Sequence, residues 1–125
     1  MNRIDAIIDS YLVKGKEAGI ILSREQILSI LADRLGHGKW ALAILKKENR
    51  PLNKELLGEL VNEAYQQQTQ SQKKLLGSRH MLDEMAAKLE GAGLVDVSEM
   101  GRARMYKLSL LGDEVILHIQ SQRGA

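Results

Sequence analysis

Three histidines, His37, His80 and His118, stand far apart in the chain, and none has a neighbour at metal-ligand spacing. There is no cysteine, which excludes disulfides and thiolate chemistry. Ser109, Asp113 and His118 supply the residue types of a hydrolytic triad, but no nucleophile-turn motif surrounds Ser109. Gly15-Lys16 lacks the preceding glycines and the following serine or threonine of a phosphate-binding loop. The carboxylate pairs Asp83-Glu84 and Asp113-Glu114 are adjacent, so on a helix they point in different directions. The chain reads as a non-enzyme, with no cofactor and no metal site.

What remains chemically pointed is a set of cations. Lys73, Lys74, Arg79 and His80 lie close together, and Arg102 and Arg104 flank Ala103 farther on. Ammonium and guanidinium groups suit phosphate, and arginine can donate two hydrogen bonds to a guanine edge. Arg79 and His80 are candidates for a base edge or a phosphate. Lys73 and Lys74 are candidates for phosphate, with Lys46, Lys47 and Arg50 as a further basic edge. Arg102 and Arg104 suit the negative potential of a minor groove. Each has an ordinary alternative: Arg79 and the lysines as solvated surface, Arg102 and Arg104 paired with Asp96 and Glu99. Asp83 and Glu84 oppose a DNA role, because carboxylates repel phosphate unless turned to cytosine amino groups or to basic neighbours.

The formal charge of +2 is unevenly spread: residues 1–38 sum to zero, 39–80 to +4 and 81–125 to −2. A nonspecific nucleic-acid binder is usually more basic; a localised patch is compatible with this balance. Aromatics are only 3% of the chain, so no stacking platform for RNA or single strands is expected. Trp40 begins an apolar helical face and reads as a core or interface anchor.

These side chains need elements to position them. Ile4, Ile7, Ile8, Tyr11 and Leu12 recur at helical spacing and predict a helix over 3–14, weakened afterwards at Gly15 and Gly19. Ser23 and Gln26 have capping-box spacing before a helix over 24–35, which Gly36-His37-Gly38 ends. A helix over 39–48 follows, then a turn at Asn49-Arg50-Pro51, then a helix over 53–65 capped by Asn53. The glutamine-rich tract over 66–77 reads either as a solvated helical continuation or as a loop. Ser78 caps a helix over 78–90, which Gly91-Ala92-Gly93 stops.

Leu94-Val95-Asp96-Val97 and residues 102–108 alternate as two strands around Gly101, which permits the turn. Arg102, Arg104, Tyr106 and Leu108 fall on one nominal face; a bulge or strong twist would reconcile arginines at the tip with Leu108 in the core. Tyr106 is expected against the third helix of the core. A helix over 109–120 completes the order.

The run from Ser78 to Gly112 resembles the recognition helix and wing of MarR and PadR bacterial transcriptional regulators. The likeness is carried by the Ser78 helix opening, by Leu89-Glu90-Gly91 leading to Leu94-Val95, by Gly101-Arg102-Ala103-Arg104 before Tyr106-Lys107-Leu108, and by Leu108-Ser109-Leu110-Leu111-Gly112. It covers about 35 of 125 residues. The long 66–77 join, the two front helices and the acids of the third helix depart from it.

The resemblance implies a mainly α winged helix-turn-helix with a two-stranded wing, over 39–125. Residues 1–38 would be an N-terminal helical extension, serving dimerisation or a partner surface. It further implies a dimeric, sequence-specific protein for double-stranded DNA that regulates transcription. The third helix would enter the major groove, with the wing on backbone or minor groove. The contrasting expectation is a winged-helix scaffold subunit that binds protein through its N-terminal helices. Asp5 and Asp9 interrupt any signal peptide and no apolar run suits a membrane, so the expected setting is cytoplasmic.

Overall fold

The computed structural model describes residues 3–16 and 21–123. The helices are α1 (Arg3–Lys16), α2 (Arg24–Arg34), α3 (Gly38–Glu48), α4 (Lys54–Thr69), α5 (Arg79–Gly91) and α6 (Leu110–Arg123). The strands are β1 (Leu52–Asn53), β2 (Val95–Met100) and β3 (Ala103–Leu108). This is a mainly α winged helix-turn-helix. Helices α3, α4 and α5 form the trihelical body, and β2 and β3 form the two-stranded antiparallel wing.

Local signals set the helix ends. Ser23 and Gln26 form the reciprocal capping box at α2. Asn53 accepts from the Leu56 N–H and Ser78 from the Met81 N–H, so α4 and α5 start at capping side chains. After α5, Leu94 N–H reaches Leu89 C=O and Gly93 N–H reaches Glu90 C=O. That pairing needs Gly93 at its φ of +75°, a left-handed conformation that costs glycine little.

The core draws on every layer. Leu42, Leu45, Leu57, Val61, Leu89, Leu94 and Val115 are fully buried, and each large aliphatic contributes about 1.5–3 kcal/mol on leaving water. Leu28 within α2 and Leu35 at its C-cap join the same cluster. Helix α2 lies along α6, where buried His118 meets Ser29 Oγ through Nε2 at 3.1 Å and faces Glu25 Oε2 through Nδ1 at 3.5 Å. Arg24 pairs with Glu114 across the same seam. The helix α1 runs past Gly15, and every side chain at residues 3–10 is exposed. The expected side-chain roles of Tyr11 and Leu12, and the break at Gly19, lie outside what is described. Among the described residues no helix is long and apolar enough to cross a membrane.

The two-stranded wing is as expected, and a short third strand adds to it: the sheet order is β1-β3-β2, because Leu52 pairs with Tyr106 and Asn53 with Met105. A two-residue strand beside Pro51 has too short a pattern to show in sequence.

Of the bulge and the strong twist, the bulge is absent: pairing is continuous from Val95↔Leu108 to Met100↔Ala103. The face bearing Leu108, Tyr106 and Arg104 is covered at the hairpin base and open towards its tip, so one unbroken face accommodates both characters. One expectation is corrected: Arg102 does not share a strand face with Arg104. It lies in the two-residue turn after Gly101, whose φ of +64° glycine adopts readily.

The glutamine tract divides. Its first part extends α4 to Thr69, and Gln70 closes the helix at a left-handed φ of +52°. The rest is an ordered loop.

Candidate nucleic-acid interface

The join between α4 and α5 is pinned from inside. The Asn62 amide donates to Leu76 C=O at 3.2 Å and accepts from Leu76 N–H at 2.7 Å. Leu75 and Leu76 are buried beside this clamp. Gln66 donates to Gln72 C=O at 2.9 Å. The two helices then approach closely at Gly58, where a β-carbon would stand 2.9 Å from Leu82 Cδ1. The long join is thereby tied back to α4 at Asn62 and Gln66.

Helix α5 buries Met85, Ala86 and Leu89 and turns Arg79, His80, Asp83, Glu84, Ala87 and Lys88 to solvent. Its acids do not stand free. Lys54 Nζ lies 2.5 Å from Asp83 Oδ1, and Arg79 Nε lies 3.6 Å from the same oxygen. The Lys54 hydrogen bond, with the charges of Lys54, Arg79 and His80, holds the Asp83 carboxyl below its ordinary value of 3.8, against a smaller opposing push from burial. Arg79 also reaches Glu55 Oε1 at 3.1 Å, and His80 stands 3.8 Å from Glu84. Lys54 and Arg79 therefore offset the Asp83 charge within the fold, while Glu84 has His80 beside it, an imidazole that carries charge only when protonated.

The candidates fall into separate groups. Lys74 and Arg79 line one cleft between α4 and α5, with Glu55 and Glu59 on its other side. Lys73 is exposed in the loop before it. Arg104 joins the far end of α5: its Nη2 donates to Glu90 Oε1 at 2.7 Å, and its Cζ lies 5.9 Å from the Tyr106 ring centroid. Glu90, ahead of Tyr106 and Glu99, pushes the Arg104 pKa further up. The alternative pairing with Asp96 and Glu99 is thus replaced by Glu90, which lies across the helix–wing seam. Arg79 and Glu90 are eleven residues apart on one helix, a rise of about 16 Å. Arg79 and Arg104 therefore mark opposite ends of α5. Lys73, Lys74, Lys88 and Arg102 have no ion-pair partner among the described residues.

Sequence reasoning missed Lys54, Glu55 and Glu90 as partners, and Asn62 as the clamp. Asn62 left one signal, an amide in the middle of an apolar helical stripe. The triad types do not converge. Ser109 Oγ donates to Gly93 C=O and accepts from Gly112 N–H, Asp113 pairs with Lys46 at 2.5 Å, and His118 faces α2. No group of three or more metal-ligating side chains occurs among the described residues.

The chain is 36% identical over 111 residues to DNA-binding protein TubR of Bacillus cereus (strain ATCC 10987 / NRS 248), across 84% of this chain and 92% of that protein. The chain belongs to the TubR family. A solved structure of a type III plasmid segregation TubR mutant superposes with a TM-score of 0.56 at 19% identity, covering 85% of this chain and 98% of that one. That TubR likeness supports the winged-helix fold. No protein-family model matches the chain. The MarR and PadR resemblance rested on the α5–wing segment, and the fold it implied is the one observed. The kinship that whole-chain identity establishes is with TubR. That relative is named for binding DNA.

Proposed function

We propose that this chain is a homodimeric, sequence-specific binder of duplex DNA that acts in DNA segregation. The observation that carries the reading is its identity to a DNA-binding TubR along nearly that protein's whole length. The geometry supports it. Helix α5 offers a solvent face on which Asp83 is paired, with Lys73 and Lys74 before it and Arg102 at the wing tip, all three without an ion-pair partner among the described residues.

On this reading α5 enters the major groove. Arg79 and His80 exchange their intramolecular carboxylates for a base edge or phosphate, and Lys73 and Lys74 take the backbone. Arg102 reaches the backbone or minor groove at the wing tip. Arg104 holds the wing against α5 and adds charge beside it. Residues 39–125 then read the DNA. Within residues 1–38, α1 supplies the dimer contact: Ile4, Ile7 and Ile8 are 67%, 52% and 49% exposed on one helix. A two-fold dimer presents two copies of α5 to one duplex. The cytoplasm is the compartment this reading requires.

Control of transcription is a second reading, favoured by the MarR/PadR-like α5–wing segment. The two separate in one experiment. Duplexes selected from the DNA of the source cell are placed on an otherwise unstable plasmid and, separately, before a reporter. Stabilised inheritance supports segregation, and altered reporter output alone supports regulation. If no duplex is selected, DNA binding is rejected in favour of a protein-binding scaffold.

A further inference from the structure

A groove of about 430 Å³ lies between α3, the second half of α4 and α6, and no residue of α5 or the wing lines it. Helix α3 turns Gly38, Ala41, Leu42 and Leu45 inward, with Gly38 against Leu89 of α5. Its other side delivers Lys39, Trp40, Ile44 and Lys47 to the groove. The apolar floor is Trp40, Ile44, Ile116 and Ile119, with Trp40 edge-on to Tyr65 at 5.5 Å. Lys39, Lys47 and Arg123 form the rim; each is exposed and without an ion-pair partner among the described residues. No acidic side chain lines this groove. Two carboxylates border it: Asp33 lies in an adjoining pocket that shares Lys39 and Arg123, and Glu63 accepts from the Nε2 of groove-lining Gln67 at 3.5 Å, leaving the three rim cations in excess.

We infer that this groove takes an acidic amphipathic helical segment of a partner protein. Apolar floor and cationic rim select that occupant together. A phosphate backbone satisfies the cations and gains nothing from an isoleucine floor. A helix with aliphatic anchors on one face and carboxylates beside them satisfies both. From Lys39 to Lys47, α3 rises about 12 Å, close to the span over which i, i+3 or i+4, and i+7 anchors repeat. Rim cations attract the acidic segment during encounter and make association salt-dependent. Because the groove excludes α5 and the wing, a partner can dock while those elements hold DNA. The inference stands apart from the DNA reading, since groove and α5–wing face share no residue.

Trp40 is the only tryptophan, so its emission reports on the groove floor directly. The full chain is titrated with a synthetic amphipathic peptide of about 14 residues, carrying leucines at helical-anchor spacing and glutamates elsewhere. A twin peptide has lysines for the glutamates. The expected result is a saturable change in Trp40 emission with the acidic peptide, weakened about tenfold by Lys39→Glu/Lys47→Glu and unaltered by Arg102→Ala.

Equal binding of the lysine twin overturns the inference, as does full affinity in the double charge reversal. Competition by duplex DNA for the peptide reassigns the groove to phosphate. A change in self-association of the double variant, read by sedimentation, reassigns it to a second copy of the chain. Should that variant lose its helical circular dichroism, Arg123→Glu near the end of α6 provides the same charge test.

Discussion

Asp83 is the side chain most opposed to a phosphate-facing helix, and Lys54 and Arg79 counter it directly. Its depressed pKa makes a signed prediction. A carboxylate stabilised in the folded state adds stability above its ordinary value of 3.8, and loses it as pH falls through the lower folded value. Asp83→Asn is therefore expected to melt below the parent at pH 7, with the gap closing in acid below 3.8. Thermal melts across that range check it; a gap that widens in acid defeats the assignment. Arg102 predicts differently, because it has no ion-pair partner among the described residues. Arg102→Ala should leave the melting temperature unchanged and lower the slope of log affinity against log salt by about one. Arg104→Ala should lower both affinity and melting temperature, since Glu90 loses its cation. The candidate cations were legible in sequence by type. Their partners were not: Arg104 meets Glu90 across 14 positions, and Asp83 meets Lys54 across a helix boundary.

Among elements, the junction of wing and α6 is the tightest. Ser109 is buried, and its Oγ joins Gly93 C=O at 2.7 Å to Gly112 N–H at 2.9 Å. Ser109→Ala should cost about 1–2 kcal/mol in urea unfolding, as for a lost helix cap with a buried bond. A β-carbon on Gly112 would stand 2.1 Å from Leu94 C=O oxygen, which is backbone and cannot swing aside. Gly112→Ala should destabilise by about 3 kcal/mol or more, through overpacking. Equal stability of either variant would contradict the close junction. Helix order and the wing were legible here because caps and alternation are local. Strand β1 was not: Leu52 is a strand residue only because Tyr106 arrives beside it.

For the whole molecule, the question is where the exposed apolar surface goes. Residues 3–10 are exposed throughout, whereas α2 is anchored through Leu28 and through the Ser29–His118 contact. Deleting residues 1–20 should leave the cooperative melt of the body intact, yield a monomer by sedimentation, and weaken duplex binding through loss of the second α5. A dimer that survives the deletion would move the contact elsewhere, to exposed Ile27, Ile30 and Leu117. In the core, Leu42→Ala should cost about 2–5 kcal/mol, because its site is fully buried among several elements.

The sequence by itself determined the helices, their capped starts, the hairpin and hence the winged helix. Those depend on spacing, turn glycines and capping side chains, which act over a few residues. Tertiary structure decided the third strand, the unbroken wing register and the pairing of the α5 acids with Lys54, Arg79 and His80. It also joined Lys39, Lys47 and Arg123 around one apolar groove. Each of these brings side chains together across turns or distant segments, and Coulomb and packing energies depend on separation in space, which spacing along the chain does not encode.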